Sequence, residues 1–448
     1  MSSRSCSFAE QTVPRYTSYP TAPHFTGAVT ADTYADWLAA LPGEATLSLY
    51  LHVPFCIELC HYCGCHTKAV RRPEPVAAYA DVLAAEIALV ARRAGGRRAI
   101  HLHWGGGTPS TLGPDRLVDL TQRLRGAFRF ADDMEHAIEL DPRRIDRPLV
   151  AALAAMGVTR ASLGVQDFSP HVQRAIGRIQ PFGVVAEAVG LLREAGIAEI
   201  NIDLMYGLPK QSLADLRRTI ALADALRPQR FALFGYAHVP WFKANQRLIA
   251  ESDLPDAGAR LDQAEAAREL FAELGYRPIG LDHFARPEDA LTRAAQDGRL
   301  HRNFQGYTTD AADALIGLGA SAIGRLRQGF VQNAADVGGY ARAIAEGRFA
   351  TVKGLAFSSD DTLRARIIER LMCDFAVDLD AVTGRRGRNG DAFAEELAAL
   401  APLREEGFVA IEGHRIAMTE AGKPYVRLAA AAFDTYLKNG QARHSRAV

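Results

Sequence analysis

Four cysteines lie within ten residues of this chain, at Cys56, Cys60, Cys63 and Cys65. The first three follow the spacing C-x-x-x-C-x-x-C, and the fourth comes two residues later. Thiolates packed this closely converge on one metal centre, and cysteine thiolates are the usual ligands of iron–sulfur clusters. Three thiolates on a four-iron cluster leave one iron open, so a small molecule can bind there. The motif therefore predicts chemistry at the cluster as well as electron transfer.

Zinc and disulfide bonds are the other uses of closely spaced cysteines. A structural zinc site pairs two cysteine knuckles across a longer stretch of chain, but Cys6 and Cys373, the remaining cysteines, stand alone. A disulfide framework is typical of small secreted domains, and residues 1–10 contain no apolar stretch that resembles a signal peptide. Zinc stays the main alternative to an iron–sulfur cluster at this point.

The composition predicts a large soluble protein. The 448 residues are enough for two or three domains, and 48% of them are hydrophobic, which allows a large core. The 52 basic and 52 acidic residues cancel, which argues against nucleic acid as the main partner. No apolar run approaches the ~18 residues that a membrane span needs. We therefore expect a cytoplasmic globular protein without a membrane span.

Short β-branched runs alternate with longer amphipathic runs from about residue 46. Strands are predicted at residues 47–53, 99–104, 136–140, 160–165, 199–204 and 231–235. Helices are predicted between them at residues 76–93, 116–128, 148–155, 183–195 and 212–225. This repeat predicts an α/β fold with a parallel sheet and helices outside it. Polar and Gly-rich residues recur after successive strands, which favours a partial (β/α)6 barrel over a doubly wound sheet, the alternative.

Less regular segments flank the repeat. Residues 1–45 form an N-terminal arm that contains the Pro-rich run 14–21, and residues 46–353 form the barrel with its extension. Residues 354–448 predict a small, mostly helical domain, with helices at 362–373 and 391–400, a hairpin at 408–418 and a final helix to about residue 437. This order is winged-helix-like, but it carries no basic stripe for DNA. We therefore expect the domain to serve as a cap or lid.

Polar residues at the strand ends predict a pocket at one edge of the sheet. The glycines at 105–107 follow the second strand and let a ligand approach bare backbone N–H groups. No Gly-Lys-Ser/Thr follows them, which excludes a phosphate loop. Glu139 is in phase to point inward and to accept hydrogen bonds from a ligand amine or ribose. Gln166 and Asp203 occupy the corresponding ends of the next two strands, where barrel active sites are built.

Taken together, these motifs resemble the radical S-adenosylmethionine (SAM) enzymes, and within them the family of oxygen-independent coproporphyrinogen III oxidases. The resemblance covers nearly the whole chain. Besides the cysteines, it is carried by RYTSYPT at 15–21, HWGGGTP at 103–109, GVQDF at 164–168, NIDL at 201–204, DHFARP at 282–287 and HRNFQGY at 301–307. The N-terminal arm and the last two segments are more specific than the cysteine motif.

The resemblance implies a [4Fe–4S] cluster on Cys56, Cys60 and Cys63, with Cys65 present but not a ligand. SAM would chelate the open iron, and one electron from the cluster would cleave it to methionine and a 5′-deoxyadenosyl radical. Two SAM sites are implied. The first would be lined by Tyr50, Gly106, Glu139 and Ile323. The second would be lined by Tyr62, Gly107, Thr108, Gln166, Arg178, Asp203 and Ala237.

The implied reaction removes hydrogen from the β-carbon of two substrate propionates, each of which then loses carbon dioxide and one electron. Coproporphyrinogen III would thus become protoporphyrinogen IX, a step of haem synthesis. A substrate with four carboxylates favours arginine, whose planar fork suits carboxylates, and the candidates are Arg15, Arg286 and Arg302. The arm at residues 15–21 is expected to fold over the pocket.

Three other functions compete with this one. A haem-binding or haem-trafficking radical SAM relative would usually lack the fourth cysteine and the arm motif, and this chain has both. A haem-degrading radical SAM methyltransferase is disfavoured by the segments 282–287 and 301–307. A purely electron-transferring iron–sulfur protein would need Cys65 as a ligand and leaves the glycine loop unexplained. The electron donor and acceptor stay unidentified, and the resemblance suggests a monomer.

Overall fold

The structure is a computed structural model of the chain, and it describes residue 8, residues 10–384 and residues 390–437. Cys6 and the residues after 437 therefore lie outside the described part. None of the helices within the described part combines the length and the apolarity needed to cross a membrane.

A twelve-stranded sheet forms the centre of the molecule. Six of its strands run parallel in chain order: β1 (Thr46–Val53), β2 (Arg98–Gly106), β3 (Arg129–Leu140), β4 (Arg160–Gln166), β5 (Glu199–Tyr206) and β6 (Arg230–Gly235). A doubly wound sheet would reverse its strand order part-way across, so that alternative is wrong. The sequential order is the one expected for a barrel-type α/β fold.

Helices connect each parallel strand to the next one. They span Pro73–Ala94, Pro114–Ala127, Arg147–Met156, Pro170–Ala175, Phe182–Glu194 and Leu213–Ala225. Capping residues in the sequence mark where such helices begin. At the last of them, Ser212 accepts a hydrogen bond from the backbone N–H of Asp215, and the Asp215 side chain accepts one from the backbone N–H of Ser212. The predicted strands and helices of the repeat are confirmed, with shifted ends. The short helix Pro170–Ala175 was not predicted.

The two faces of the sheet differ in polarity because successive residues of a strand point to opposite faces. In β1, Leu47, Leu49 and Leu51 are fully buried in the main hydrophobic core. Tyr50 and His52 alternate with them and therefore lie on the opposite, inner face. The strands thus present their polar side chains to the interior, where a ligand site can form at their carboxyl ends.

Antiparallel strands extend the sheet at both edges. Next to β6 come β7 (Arg277–Ile279) and β8 (His283–Ala285), in the order β6-β8-β7, preceded by the helix Ala257–Glu273. The hairpin of β9 (His301–Asn303) and β10 (Gly306–Thr308) stands apart from the sheet. At the other edge, β11 (Ala314–Leu318) pairs parallel to β1 and is followed outward by β12 (Ile323–Leu326), β13 (Gly329–Asn333) and β14 (Thr351–Ala356). The helices Ala290–Gln296 and Val337–Ala345 complete this extension.

The C-terminal part forms a second hydrophobic core. Its helices span Ser359–Asp374, Leu379–Thr383, Ala394–Ala399, Ala401–Glu405 and Val426–Ala431. A small antiparallel sheet has the order β15 (Ala376–Asp378), β17 (Arg415–Met418), β16 (Val409–Glu412). The predicted hairpin is confirmed, with Gly413 at φ +59° in its turn. The final helix ends at Ala431, earlier than predicted.

The N-terminal arm divides between the two cores. Val13, Tyr16 and Tyr19 are buried in the C-terminal core. The helix Ala31–Ala39 instead packs into the main core beside the sheet. The Tyr16 hydroxyl donates a hydrogen bond to Asp434 Oδ2 at 3.1 Å. The arm therefore connects the C-terminal domain to the rest of the molecule.

Candidate active site

The cysteine loop follows β1 and contains all four of the clustered cysteines. A parallel pairing of Phe55–Cys56 with Lys68–Ala69 closes its base. The four thiols are free, and they are buried or half-buried except for the exposed Cys65. The structure therefore holds the three predicted ligands on one short loop, at the carboxyl end of the first strand.

Hydrogen-bond donors reach two of the predicted cluster ligands. Thr108 Oγ1 donates to Cys56 Sγ at 3.4 Å, and Thr67 Oγ1 lies 3.3 Å from the same sulfur. Arg178 Nη1 donates to Cys60 Sγ at 3.5 Å. Such donors stabilise the thiolate form, which is the form that binds iron.

Cys63 and Cys65 differ in their readiness to ionise. Their mutual hydrogen bond lowers the pKa of Cys63 to about 7 and raises the pKa of Cys65 well above its usual range. In the described ranges, no three or more His, Cys, Asp or Glu side chains are grouped so that they could hold one metal ion. The fit of a cluster therefore rests on the three cysteine donors and the polar groups around them.

A segment after β6 supports the cysteine loop from outside. Asn245 Nδ2 donates hydrogen bonds at 3.0 Å to the backbone oxygens of Cys60, His61 and Cys63. Gln246 Nε2 donates to the backbone oxygen of Tyr62 at 2.8 Å. Sequence reasoning missed both side chains, because they lie about 180 residues from the cysteines and belong to no motif.

The glycine loop after β2 packs directly against the cysteine loop. The N–H groups of Gly107 and Thr108 donate to the oxygens of Val53 and Phe55, each at 2.8 Å. A Cβ atom at Gly107 would lie 2.6 Å from the oxygen of Phe55, which leaves no space for a side chain. Gly106 N donates to Glu139 Oε2 at 3.1 Å. The glycines are therefore required for close packing of β1, β2 and β3.

Two inner-face carboxyls have pKa values shifted in opposite directions. Burial opposes ionisation of Glu139, but the hydrogen bond and charge of His103 outweigh it and hold the pKa below its usual range. Burial and the charge of Glu139 raise the pKa of Asp203 to about 6, although Ser162 and Asn201 donate hydrogen bonds to it. Of these two carboxyls, Glu139 is therefore the better acceptor of a hydrogen bond from a ligand amine or hydroxyl.

The residues predicted for the first SAM site lie on adjoining strands. Tyr50 pairs in register with Gly317 of β11. Gly317 in turn lies close to the backbone of Ile323, since a Cβ atom at Gly317 would be 2.6 Å from the Ile323 oxygen. The ring of Tyr50 lies 5.9 Å from that of His103, which contacts Glu139 at 3.1 Å. These contacts link Tyr50 to Ile323 through Gly317 and to Glu139 through His103.

Three of the residues predicted for the second site, Arg178, Gln166 and Tyr62, lie around β4 and the cysteine loop. Arg178 Nη2 donates to the oxygen of Gly164 at 2.7 Å and to Asp141 Oδ1 at 3.3 Å. Gln166 is buried with φ +69°, a left-handed conformation at the point where β4 ends. Tyr62 packs against a small apolar cluster that includes Val172.

A cavity of about 1040 Å³ opens beside the ends of β5 and β6. The segment after β6 contributes Ala237, the arm contributes Arg15, and the C-terminal domain contributes Arg427. Five arginines line it: Arg15, Arg260, Arg268, Arg302 and Arg427. Apart from the half-buried Asp282, the acidic residues that line it are exposed.

Three of these arginines lie close together. Burial and the charges of Arg15 and Arg302 lower the pKa of Arg427 to about 9. Arg302 lies 3.7 Å from Asp282 and stacks 4.3 Å from the ring centre of Tyr307. Its Nε and Nη1 atoms are buried without a partner among the described residues.

Arg286 does not line the cavity. It donates to Asp224 Oδ1 and to the oxygen of Leu274, each at 2.9 Å, and stacks on the ring of Tyr276. In this structure Arg286 therefore joins helices to the sheet edge and lies apart from the cavity. Arg15 and Arg302 both face the cavity.

Comparisons with known proteins agree with this geometry. The sequence matches the Radical SAM superfamily over residues 50–223 and the HemN C-terminal domain over residues 357–425. "Oxygen-independent coproporphyrinogen III oxidase" of Bradyrhizobium diazoefficiens is 51% identical over 99% of this chain and 98% of the relative. The chain belongs to the oxygen-independent coproporphyrinogen III oxidase family. The protein of the same name from Escherichia coli K12 is 39% identical over 95% of this chain and 93% of its own length.

The fold of this oxidase family is also seen in a solved structure. The structure titled "Coproporphyrinogen III oxidase (HemN) from Escherichia coli is a Radical SAM enzyme" superposes with a TM-score of 0.90. It is 38% identical in sequence, and the superposition covers 95% of this chain and 100% of that one. The predicted radical SAM fold with a helical C-terminal domain is thereby confirmed.

Membership in the oxidase family implies a [4Fe–4S] cluster and SAM, and the residues present fit these groups. Three cysteines supply the donor type that such a cluster takes. Arg178 has a buried Nε atom without a partner in the described ranges. A Cβ at Gly105 would lie 2.8 Å from Glu139 Oε1, so glycine keeps this carboxylate accessible.

Proposed function

We propose that this chain converts coproporphyrinogen III to protoporphyrinogen IX without oxygen, as an enzyme of haem synthesis. The observation that carries the proposal is an arginine-lined cavity at the ends of β5 and β6 in a chain of this family. A porphyrinogen with four carboxylates needs both a large cavity and fixed cations. A haem carrier or a haem-degrading methyltransferase has less support, because the relatives that match nearly end to end bear the oxidase name.

The protein's part in this reaction is to bind, orient and shield. When bound, the cluster and SAM supply the radical that takes one hydrogen atom from the β-carbon of a propionate. That propionate then releases carbon dioxide and passes one electron to an acceptor, which leaves a vinyl group. Two propionates react in this way, so the cavity must hold the remaining carboxylates while each reacting arm is presented.

Arg302 is the strongest candidate for holding a propionate. Its stacking on Tyr307 fixes the plane of the guanidinium, and two of its nitrogens have no partner in the part of the chain described. Although burial opposes ionisation of Asp282, Arg302 and His283 hold its pKa well below the usual range. Arg302 is thus kept charged and oriented, and a propionate would satisfy the nitrogens left over.

We propose two SAM sites with the residues predicted from the sequence. Support for the first comes from the contacts that link Tyr50 to Ile323 and to Glu139. Support for the second comes from Arg178, which lies between Cys60 and the end of β4. Thr108 also contacts the cysteine loop, because its hydroxyl donates to Cys56 Sγ. Ala237 lines the cavity, so the second site would adjoin the substrate.

We also propose a cytoplasmic monomer built from an arm (1–45), a barrel with its extension (46–353) and a C-terminal domain (354–448). Free cysteines at this density suit a compartment that keeps thiols reduced. The arm residues Val13 and Tyr16 pack into the C-terminal core, and Arg15 between them lines the cavity. The arm is thus suited to closing one wall of the substrate site.

The test is an anaerobic assay of the iron-reconstituted protein with coproporphyrinogen III, SAM, dithionite and cell extract as a source of acceptor. Protoporphyrin is measured after oxidation, alongside 5′-deoxyadenosine. We expect both products. Deoxyadenosine without protoporphyrin would assign the radical chemistry to another substrate, and tight haem binding with neither product would favour the carrier.

A matched pair of variants tests the substrate site separately. Arg302→Gln removes a charge inside the cavity, and Arg286→Gln removes one from the neighbouring motif outside it. We expect Arg302→Gln to raise the KM for coproporphyrinogen at least tenfold with an unchanged affinity for SAM. Arg286→Gln should keep the wild-type KM, provided that its iron content and circular dichroism spectrum are normal. Equal KM values for the two variants would contradict the assignment of Arg302.

A further inference from the structure

Most of the large hydrophobic side chains that are exposed in the described ranges lie near the cysteine loop. Ile57 belongs to the loop itself, Ile179 follows the helix Pro170–Ala175, and Phe242 and Leu248 lie in the segment after β6. Phe242 is 76% exposed and Leu248 is 66% exposed. We call Ile57, Ile179, Phe242 and Leu248 the cluster-side surface. Trp241 is excluded because it lines the substrate cavity.

Hydrogen bonds hold these segments against the cysteine loop. Phe242 and Leu248 each lie three residues from Asn245, whose side chain donates to three backbone oxygens of the loop. On the other side, the N–H of His61 donates to the oxygen of Ile176 at 2.9 Å, three residues before Ile179. The cluster-side surface therefore lies directly outside the loop that would carry the cluster.

The charge around this surface is basic, although the whole chain has equal numbers of basic and acidic residues. Within residues 56–72, 170–179 and 238–251, the exposed basic side chains are Lys68, Arg71, Arg72, Arg174 and Arg247. The exposed acidic side chains in the same segments are Glu58 and Glu251. Glu251 also lines the cavity, so the balance on the outer side is still more basic.

We propose that the cluster-side surface docks a small acidic electron-carrier protein that reduces the cluster. The proposal rests on the cluster chemistry of the proposed function. One electron leaves the reduced low-potential centre of the carrier and enters the cluster, and no bond is made or broken between the two proteins. Exposed apolar side chains with an excess of basic neighbours in the same segments match a transient interface, in which charge guides the encounter.

A protein partner explains this surface better than the substrate does. The propionates of the substrate are matched by the arginines of the cavity, and Phe242 and Leu248 do not line that cavity. Monomeric proteins rarely leave grouped apolar side chains exposed unless they bind something. Electron carriers bind through small interfaces, so a few exposed side chains and a charged rim are enough.

The test compares two reductants of the same reconstituted protein by anaerobic stopped-flow absorbance. Flavodoxin in its hydroquinone form is the acidic protein probe, and dithionite is the small-molecule probe. We expect Phe242→Ser and Leu248→Ser each to slow cluster reduction by flavodoxin about tenfold, as loss of a central contact does. Reduction by dithionite should keep its wild-type rate in both variants.

Two further variants make the outcome specific. Val352→Ser replaces a side chain that is 53% exposed but lies on β14, away from the cysteine loop, and should keep the wild-type rate with both reductants. Arg247→Glu should slow reduction by flavodoxin and weaken its dependence on salt. Wild-type rates with flavodoxin in Phe242→Ser and Leu248→Ser, or an equal loss in Val352→Ser, would overturn the proposal. Dithionite-driven protoporphyrin formation tests the proposed function independently, because it needs no protein donor.

Discussion

Glu86 is a buried carboxyl that predicts a measurable pH dependence of stability. Its Oε2 accepts hydrogen bonds from Gly319 N at 2.6 Å and from the Tyr340 hydroxyl at 2.7 Å. Its Oε1 accepts one from Asn333 Nδ2 at 2.7 Å. Burial outweighs these three hydrogen bonds and raises the pKa of Glu86 to about 7.

The sign and size of the effect follow from this pKa. In the unfolded chain the carboxyl has its ordinary pKa of 4.5, so between these values the folded protein holds a proton that the unfolded chain has lost. The stability from Glu86 is therefore complete at low pH and decreases as the pH rises towards 7. Each pH unit corresponds to about 1.4 kcal/mol, so about 2 kcal/mol is lost between pH 5.5 and 7.

The measurement is urea unfolding of the reconstituted protein at several pH values from 5.5 to 8 under anaerobic conditions. Glu86→Gln keeps the size of the side chain and an acceptor for Gly319 N, but it cannot titrate. We expect the wild type to lose about 2 kcal/mol more than this variant as the pH rises. Glu74→Gln, at an exposed position at the start of the same helix, should follow the wild type. Parallel stability curves for the wild type and Glu86→Gln would refute the reasoning.

Three other substitutions have expected outcomes. Cys65→Ser should keep the iron content and cluster absorbance of the wild type. Loss of iron in this variant would show that Cys65 is a cluster ligand. Tyr16→Phe removes the buried hydrogen bond to Asp434 and should lower the free energy of unfolding by about 1–3 kcal/mol, measured by urea unfolding. Gly280 has φ +57°, and a methyl group there would overlap the ring of Tyr307. Gly280→Ala should therefore lower Tm by several degrees. An unchanged Tm would contradict the left-handed conformation and close packing at this glycine.

The parallel repeat could be predicted because each unit carries its pattern locally. Strands such as β1 alternate buried leucines with inner-face polar residues, and helix starts such as Ser212 are marked by their own capping residues. The third strand was predicted only from residue 136, but β3 begins at Arg129. Asp132 and Asp133 are exposed there, so the early part of the strand lacks the apolar pattern of a buried one.

The antiparallel edges and part of the site could not be predicted, because they depend on contacts between distant segments. Arg286 and Arg302 were equivalent in the sequence, since each lies in a specific motif, and only the structure separates the cavity from the helix contact. Arg427 lies in the C-terminal domain, where no pattern marks it as part of a pocket. Its neighbour in space is Arg15, more than 400 residues earlier in the chain.

The segment after β6 links the two halves of the site. Its first residues, including Ala237, line the substrate cavity, and its later residues, Asn245 and Gln246, hold the backbone of the cysteine loop. Both contacts fall within ten residues that carry none of the recognised motifs. The position of the cluster ligands and the shape of the cavity therefore depend on one backbone path. Motifs identify the chemistry of this protein, but this segment fixes the cysteine loop relative to the cavity.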